Sequence, residues 1–256
     1  MSKEKLISRR QFLDMSKNSI AFLLSNYLTT KLSPPYNNER EANPCWPIDI
    51  FGNETFLQGN IFITIDDCYD SDLLERLLNL LTEKEVKASF FPNSTYVQTN
   101  NESHVNLWRG IYENGHDIGY HTVSHTSGMN PNELEEDFRN FQETFKQIFA
   151  DNTFEIKLVR PPGGNWNQDW LIWVRENNLT NVRWNYVPNN QSSETVIRAT
   201  MNHPEGGGII LLHTRRFDVN WLQNNLDILI ELAKEQGGLV TSIGEAINNN
   251  CLTDID

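Results

Sequence analysis

The run Ile61-Phe-Ile-Thr-Ile65 leads directly into two carboxylates, Asp66 and Asp67. Its uncharged β-branched and aromatic residues predict a buried strand. A second run, Gly208-Ile-Ile-Leu-Leu-His213, is almost wholly apolar, which predicts a strand buried on both faces, and it also ends in a chemically capable side chain. Strands buried in this way are typical of a parallel sheet that helices cover on both sides.

Around these two runs, further strand-like and helix-like segments alternate along the chain. Leucines recur at helical spacing from Leu73 to Leu81, and a long acidic helix is predicted from Pro131 to Ala150. About seven strand–helix units predict an α/β fold, a distorted and partly irregular parallel (β/α) barrel. The length of 256 residues is slightly short for the usual eight-unit barrel.

Composition narrows the classes of function. The formal net charge of −13 repels phosphate backbones, so no nucleic acid partner is expected. No run of about 20 apolar residues is present, so no ordinary membrane span is expected. The three cysteines are too few for a disulfide framework and lack the CxxC spacing of many metal sites. No protein partner is evident from the sequence.

Polar residues follow several predicted strands, whose carboxyl ends meet on one face of a parallel barrel. Asp67, His121 and His125 offer one carboxylate and two imidazoles, a metal-binding set with positions left open for water or substrate. The four-residue spacing of the histidines suits one helical turn. Asp66 is then the candidate base, with Arg160 as its ionic partner. An aspartate pair alone is usually a turn or cap, and an HxxxH pair alone is often incidental, so the prediction depends on the joint pattern.

Four short segments stand in order along the chain: Thr64-Ile-Asp66-Asp67-Cys68, His121-Thr-Val-Ser-His125, Arg160-Pro-Pro162-Gly-Gly164 and Leu211-Leu-His213. They resemble, in turn, the TFDDG, H[ST]xxH, RxPxG-type and LxH motifs of NodB-type polysaccharide deacetylases, which are carbohydrate esterase family four. The spacing and order match, and the likeness spans about residues 60 to 247.

The resemblance implies a metal-dependent hydrolase that removes N-acetyl groups from a polysaccharide or oligosaccharide, with O-acetyl groups as an alternative. Asp67, His121 and His125 would hold a divalent ion, with Zn²⁺ the expected metal, and the ion would activate a water. Asp66 would act as the general base, oriented by Arg160. The expected partner is thus an acetylated glycan.

Three further positions complete the predicted site. By the same resemblance, the backbone N–H of Gly163 would stabilise the oxyanion, and His213 would protonate the leaving amine. Four tryptophans are predicted near this face, and Trp184 is the candidate for stacking on a sugar ring, with core packing as the alternative.

The chain departs from the family pattern in two places. Cys68 replaces a glycine, either as a small buried hydrophobe or as a thiol near the metal. The region from Val187 to Gln191 lacks the aspartates of the family's DxxDW-like motif, the second of which usually partners the acid histidine. Asn190 can hydrogen-bond His213 there but cannot stabilise its positive charge equally.

Two alternatives to the deacetylase stay open. The altered region makes a catalytically impaired glycan-binding relic of the same fold possible. Since fold alone does not fix function, a small-molecule amide hydrolase is the other alternative.

Three segments are expected along the chain. Residues 1–33 resemble a twin-arginine export signal, with Arg9-Arg10 ahead of a mildly apolar stretch, and an amphipathic helix is the alternative. Residues 34–59 form a linker and lead-in segment, and residues 60–250 form the catalytic domain. Such a signal predicts a periplasmic or extracellular enzyme, anchored to the membrane if the signal stays uncleaved.

Overall fold

Strands and helices alternate through the residues that the computed structural model describes, which are 49–50, 59–201 and 207–253. The strands are β1 (Asp49–Ile50), β2 (Ile61–Asp67), β3 (Ser89–Pro92), β4 (Asp117–Ile118), β5 (Leu158–Val159), β6 (Thr180–Val182), β7 (Gly208–His213) and β8 (Val240–Thr241). The helices are α1 (Ser71–Glu83), α2 (Glu102–Glu113), α3 (Pro131–Phe149), α4 (Gln168–Glu176), α5 (Glu194–Met201), α6 (Arg216–Glu235) and α7 (Ile243–Thr253). The predicted export signal lies outside the described residues, as does most of the predicted linker.

All paired strands run parallel. One sheet has the order β4-β3-β2-β7, with β8 also paired to β2, and a second has the order β1-β6-β5. Two isolated parallel bridges, Tyr120 to Val159 and Tyr186 to Ile210, connect the sheets at both ends. The pairings therefore run in a cycle from β2 through β3, β4, β5, β6 and β7 back to β2. The predicted α/β fold, a distorted parallel (β/α) barrel, is confirmed.

Strand β2 is the centre of the molecule, and its residues from Ile61 to Asp66 are all buried. Helix α1 packs the buried face of Leu73, Leu74, Leu77 and Leu81 into the same core. Fully burying a leucine side chain stabilises a fold by about 2 kcal/mol, so this apolar stripe accounts for the position of α1. Asparagine or aspartate side chains cap α1, α2, α3 and α4, which sets where these helices begin.

Register places the polar strand ends together. In the ladder between β2 and β7, Asp66 pairs with His213, and in the ladder between β2 and β3, Asp67 pairs with Pro92. The backbone N–H of Asn93, the next residue, donates to the carbonyl of Asp67 at 3.0 Å. Both carboxylates and the histidine of the final motif thus lie at the carboxyl ends of neighbouring strands.

The segment from His121 to His125 differs from the expectation. A helical turn was predicted to bring the two histidines to one ion, but the segment contains bends and no helix. Strand β4 also ends at Ile118, before His121. The His121 carbonyl instead accepts from the side chain of Asn93 at 2.6 Å, so the chain leaves the sheet here as a loop.

No helix among the described residues is long and apolar enough to cross a membrane.

Candidate metal centre and active site

Asp67, His121 and His125 converge at the carboxyl ends of the strands. The Oδ1 atom of Asp67 lies 3.5 Å from Nε2 of His121 and 3.4 Å from Nε2 of His125. One ligand atom from each residue lies within 4.8 Å of the others. Among the described residues, Asp67 Oδ1 is buried without a hydrogen-bond partner.

A hydrogen bond on its far side fixes the ring of His121. Nδ1 lies 2.8 Å from the carbonyl oxygen of Arg160, and because a carbonyl only accepts, Nδ1 carries the proton. In the neutral imidazole, Nε2 then presents a lone pair toward Asp67. A cation between the carboxylate oxygen and this lone pair would satisfy both groups. The donor set therefore fits a divalent metal ion, with Arg160 supplying the outer partner usual for a ligating histidine.

Charge favours the ionised form of the Asp67 ligand. Burial raises the pKa of Asp67, but the close approach of His121 and the charges of His121, His125 and His213 outweigh it, so this pKa lies below its usual value. The carboxylate is therefore anionic at neutral pH, as a metal ligand must be.

Unusual backbone geometry is concentrated at the ligands. Asp67, Cys68, Thr122 and His125 have positive φ angles of 64°, 56°, 67° and 57°. Each such non-glycine residue costs about 1 kcal/mol or more and persists because its surroundings hold it. Cys68 stands where the resembled motif has glycine, the residue that takes this conformation freely.

Hydrogen bonds made by Asp137 and Thr95 hold the histidine loop in place. Oδ1 of Asp137, on α3, accepts from the hydroxyl of Tyr120 at 2.6 Å and from the backbone N–H of Val123 at 2.8 Å. On the other side, the Val123 carbonyl accepts from the hydroxyl of Thr95 at 2.7 Å. The loop geometry is thus set from outside the metal ligands.

Asp66 has a different set of partners from Asp67. Its Oδ1 atom accepts from Nη1 of Arg160 at 2.6 Å, and both side chains are buried. Its Oδ2 atom lies 3.7 Å from Nε2 of His121 and so points toward the metal ligands. Each of the two neighbouring carboxylates therefore faces a different positive group: Asp66 pairs with Arg160, and Asp67 faces the candidate metal position.

Arg160 is rigidly placed. Its Nε atom donates to the carbonyl of Val182 at 3.0 Å, and its Nη1 atom also donates to the hydroxyl of Thr64 at 2.9 Å. Its guanidinium carbon lies 4.3 Å from the ring centre of Phe91. Burial lowers the pKa of Arg160, and the charge of Asp66 opposes that effect. Arginine stays protonated under such conditions, so Asp66 keeps a fixed positive partner.

His213 closes the other side of the site. Its side chain is 19% exposed, and its Nδ1 atom lies 3.7 Å from Oδ2 of Asp218. The same Asp218 oxygen accepts the backbone N–H of His213 at 3.1 Å. Asn190, the partner expected from the sequence, is exposed, and no hydrogen bond joins it to His213 within the described residues.

Comparison with known proteins identifies the family. A family model described as polysaccharide deacetylase matches residues 53–182, the range that contains the candidate metal ligands, Asp66 and Arg160. The chain belongs to the polysaccharide deacetylase family.

Relatives of this polysaccharide deacetylase family member include enzymes and a pseudoenzyme. A peptidoglycan-N-acetylglucosamine deacetylase of Bacillus cereus is 27% identical over 192 residues, which cover 73% of this chain and 87% of that protein. A solved family 4 carbohydrate esterase from Bacillus anthracis shares 24% identity with a TM-score of 0.61, covering 78% of this chain and 87% of that chain. A solved family 4 pseudoenzyme from Bacillus anthracis shares 21% identity with a TM-score of 0.60, covering 78% of this chain and 69% of that chain. The two structures show the fold, which an esterase and a pseudoenzyme therefore share.

Within this deacetylase family member, Gly163 lies in the turn that follows Arg160, and Trp184 packs near the Arg160 side chain. Gly163 is exposed, with a φ of 61°, in the 3-10 turn Pro162–Gly164. Trp184 is partly buried, and its ring centre lies 5.4 Å from the guanidinium carbon of Arg160 and 5.0 Å from the ring of Trp166. Trp184 thus packs against the group that orients Asp66, and its role in sugar binding stays a prediction.

Cys68 does not join the metal ligands in the described structure. Its Sγ atom lies 3.6 Å from the carbonyl oxygen of Ile65, and the side chain belongs to the apolar core. Burial, with the charges of Asp66 and Asp67, raises the pKa of the Cys68 thiol well above its usual value. The thiol therefore stays neutral, which favours the small buried hydrophobe over the alternative of a competing thiolate ligand.

Two features beside the site were not predicted from the sequence. Asp218 lies five residues after His213 in the first turn of α6, and only the path of the chain between β7 and α6 brings it to the imidazole. Tyr69 and Tyr96 form an edge-to-face pair with ring centres 6.0 Å apart, and each is 44% exposed. Tyr69 comes two residues after Asp67, and Tyr96 lies in the turn that holds the histidine loop through Thr95. No periodicity in the sequence brings these two tyrosines together.

Proposed function

We propose that this polysaccharide deacetylase family member is a metal-dependent hydrolase that removes N-acetyl groups from an amino-sugar glycan. The observation that carries the proposal is that Asp66 and Asp67, although adjacent, have different partners. One carboxylate is held by a buried arginine, while the other faces two imidazoles without a hydrogen-bond partner of its own. A metal ligand beside a separately oriented base is what hydrolysis of an amide by water requires.

Asp67, His121 and His125 would hold the metal. One carboxylate oxygen and two imidazole nitrogens suit Zn²⁺, with further positions left for water and substrate. When bound, such an ion would polarise the acetyl carbonyl and make a nearby water more acidic.

Asp66 takes a proton from the attacking water. Arg160 holds Oδ1 of Asp66, so Oδ2, which points toward the metal ligands, is the oxygen that receives the proton. The water oxygen forms a bond to the acetyl carbon as its proton moves to Asp66. The exposed turn at Gly163 would present its backbone N–H to the oxygen that gains negative charge.

His213 gives a proton to the sugar nitrogen as the carbon–nitrogen bond breaks. The leaving nitrogen needs this proton to depart as a neutral amine. The products are acetate and a free amino sugar, and the proton taken by Asp66 balances the proton given by His213.

Exposure around the site supports a polymer as the substrate. The side chain of His125 is 48% exposed, so the metal ligands open toward solvent. The exposed rings of Tyr69 and Tyr96 lie beside them and offer faces on which sugar rings could stack. Peptidoglycan N-acetylglucosamine is the substrate in the name of the Bacillus cereus relative. O-acetyl esters remain a second substrate class because the same polarised carbonyl chemistry removes them.

Acetate release from N-acetylated amino-sugar oligomers by zinc-loaded protein tests the proposal. We expect Asp66→Asn to lower the turnover number by about 10²- to 10⁴-fold, because the general base is lost, while the zinc content stays at the wild-type level. Since the unpaired Arg160 can cost about 3 kcal/mol of stability, the folded fraction of the variant is checked by circular dichroism. Asp227→Asn, at an exposed carboxylate, is the control and should keep full activity.

A second outcome favours the glycan-binding relic. The carboxylate that the family usually places near Asn190 is missing, which gives that alternative a specific basis. Zinc-loaded protein that binds the oligomers but releases no acetate from any of them would overturn the hydrolase proposal. Acetate release from small N-acetyl amines, with none from the oligomers, would favour the small-molecule hydrolase instead.

A further inference from the structure

The imidazole of His213 lacks the partner that the family pattern would give it. Val187, Asn190 and Gln191 stand where the family has its DxxDW-like motif, so this stretch supplies no carboxylate. Asn190 is exposed, and no hydrogen bond joins it to His213 within the described residues. A different group must orient the histidine if it is to deliver a proton.

Asp218 lies where such a group is needed. Its Oδ2 atom is 3.7 Å from Nδ1 of His213 and accepts the backbone N–H of the same residue at 3.1 Å. Its side chain is only 9% exposed, so the carboxylate has little access to water. A buried carboxylate is stable only with a hydrogen-bonded or charged partner, and the imidazole is the ionisable group placed to provide one.

We propose that Asp218 is the positioning residue for His213 and replaces the carboxylate that is missing near Asn190. By accepting a hydrogen bond from the Nδ1–H group, Asp218 would hold the ring so that Nε2 is the nitrogen that faces the sugar amine. The proposal rests on the proposed function for its catalytic consequence, but not for the orientation of the ring. The separation of 3.7 Å is longer than a direct hydrogen bond, and catalytic hydrogen bonds often shorten only once substrate is bound.

The position of the two residues supports this assignment. His213 ends β7, and Asp218 lies in the first turn of α6, the helix that follows. Across the ladder, His213 pairs with Asp66, so its backbone lies next to that of the candidate base. With Nδ1 on the side of Asp218, Nε2 is the nitrogen left for the reaction.

A purely structural role for Asp218 makes a different prediction. The N-cap residue of α6, Arg215, makes no side-chain capping bond, and an acidic residue in the first turn stabilises a helix by itself. Loss of that contribution would lower the melting temperature without changing the state of the His213 ring. A measurement of the protonation of the His213 ring therefore distinguishes a positioning role of Asp218 from a role in helix stability alone.

The experiment compares Asp218→Asn, Asp218→Glu and the control Asp227→Asn, which removes an exposed carboxylate from the same helix. We expect Asp218→Asn to lower the turnover number at least about tenfold, with KM and zinc content unchanged, because the amide orients the imidazole less well. Asp218→Glu should restore part of the turnover, and Asp227→Asn should match the wild type.

Nitrogen NMR of the ¹⁵N-histidine-labelled, zinc-loaded protein gives a readout that does not depend on activity. The His213 signals are assigned by their loss in His213→Asn. We expect Nδ1 of His213 to carry a proton in the wild type, in the neutral or the doubly protonated ring, and the signal to change in Asp218→Asn.

The outcomes separate this proposal from the proposed function. A neutral Nε2–H form in the wild type, or identical His213 signals in Asp218→Asn, overturns it, as does unchanged turnover in an active Asp218→Asn. If the wild type releases no acetate but the ring signals respond to Asp218→Asn as expected, the proposed function fails and the positioning role stands.

Discussion

Two adjacent aspartates point toward the same place, although successive side chains of a strand face opposite sides of the sheet. Asp66 still has strand geometry, but Asp67 has a φ of 64° and Cys68 one of 56°. This left-handed turn breaks the alternation, and both carboxylates come within 3.7 Å of Nε2 of His121. The strained backbone at Asp67 is therefore part of how one short segment places both the candidate metal ligand and the candidate base.

Removal of the exposed imidazole of His125 tests the metal centre at the scale of a single residue. We expect His125→Ala to lose zinc, with an affinity reduced by more than the 10- to 100-fold that loss of an outer partner costs. The fold should persist because this side chain is half exposed and fills no core space. Metal analysis of the purified protein after dialysis against a fixed free zinc concentration measures the effect.

Two further variants make this zinc measurement decisive. His125→Asn introduces a residue that tolerates the φ of 57° at this position, and it should also lose zinc. The variant thus separates loss of the imidazole from any change in the backbone. His104→Ala, in α2, removes a histidine that belongs to no ligand set among the described residues and should bind zinc normally. Wild-type zinc binding by both His125 variants would disprove the assignment of His125 as a ligand.

Single residues also show how far sequence can predict this site. Asp66, Asp67, His121, His125 and Arg160 could be predicted because each follows a predicted strand, and parallel strands end on one face. Asp218 could not, because its approach to His213 depends on the path of the chain between β7 and α6. Asn190 was predicted from its place in a motif, but its side chain is exposed and hydrogen-bonded to neither His213 nor any other described residue.

At the scale of elements, the loop between the two histidines is shaped by a helix that contributes no ligand. Asp137, on α3, accepts from both Tyr120 and Val123, one residue on either side of the His121–Thr122 pair. The pKa of the Tyr120 phenol is raised by burial and by the charge of Asp137, so its hydroxyl remains a donor. The helix thereby holds the loop in its left-handed geometry before any metal binds.

Asp137→Ala should weaken zinc binding without removing a ligand. Both hydrogen bonds to the loop are lost, so the two imidazoles are less well placed, and we expect zinc affinity to fall by about 10- to 100-fold. Competition with a chromophoric chelator measures this affinity. Glu136→Ala, at the exposed neighbouring position of the same helix, is the matched control and should bind zinc as the wild type does. Equal affinities for Asp137→Ala and Glu136→Ala would show that the loop keeps its geometry without α3.

Elements were predictable to the extent that their pattern is local. Strand β7 has the bounds that its sequence predicts, because its apolar run defines them. Strands β4 and β5 have only two residues each, too few for a local pattern to mark them. The loop from His121 to His125 could not be predicted, because Asn93 and Thr95 in the turn after β3 and Asp137 on α3 shape it from distant parts of the sequence.

At the scale of the whole molecule, one partly buried carboxylate connects β4 with β3 and with the last helix, α7. Asp117, which begins β4, accepts from the hydroxyl of Ser89 on β3 at 2.7 Å and from the backbone N–H of Gly244 on α7 at 2.8 Å. A Cβ atom at Gly244 would lie 2.5 Å from this carboxylate, so glycine is needed for the close approach. The last helix is thereby attached to the first half of the sheet.

A buried histidine next to this junction makes the stability of the whole molecule sensitive to acid. Nδ1 of His116 accepts the backbone N–H of Ala88 at 3.0 Å, which requires the neutral ring. Burial, together with the charge of Lys87, lowers the pKa of His116 from 6.5 to about 4. The unfolded chain therefore takes up this proton first as the pH falls. The contribution of His116 is fully present above pH 6.5 and is lost as the pH falls toward 4.

His116→Asn removes this acid sensitivity while keeping an acceptor for the Ala88 N–H. We expect the wild type to lose about 2 kcal/mol more of its free energy of unfolding between pH 7 and pH 5 than the variant does, because only the wild type has a depressed histidine pKa at this position. Urea denaturation at the two pH values measures the difference, and the candidate metal ligands His121 and His125 affect both proteins equally. His104→Asn should lose stability with acid as the wild type does. An equal loss in the wild type and in His116→Asn would mean that the pKa of His116 is the same in the folded and unfolded protein, and it would disprove the proposed acid sensitivity.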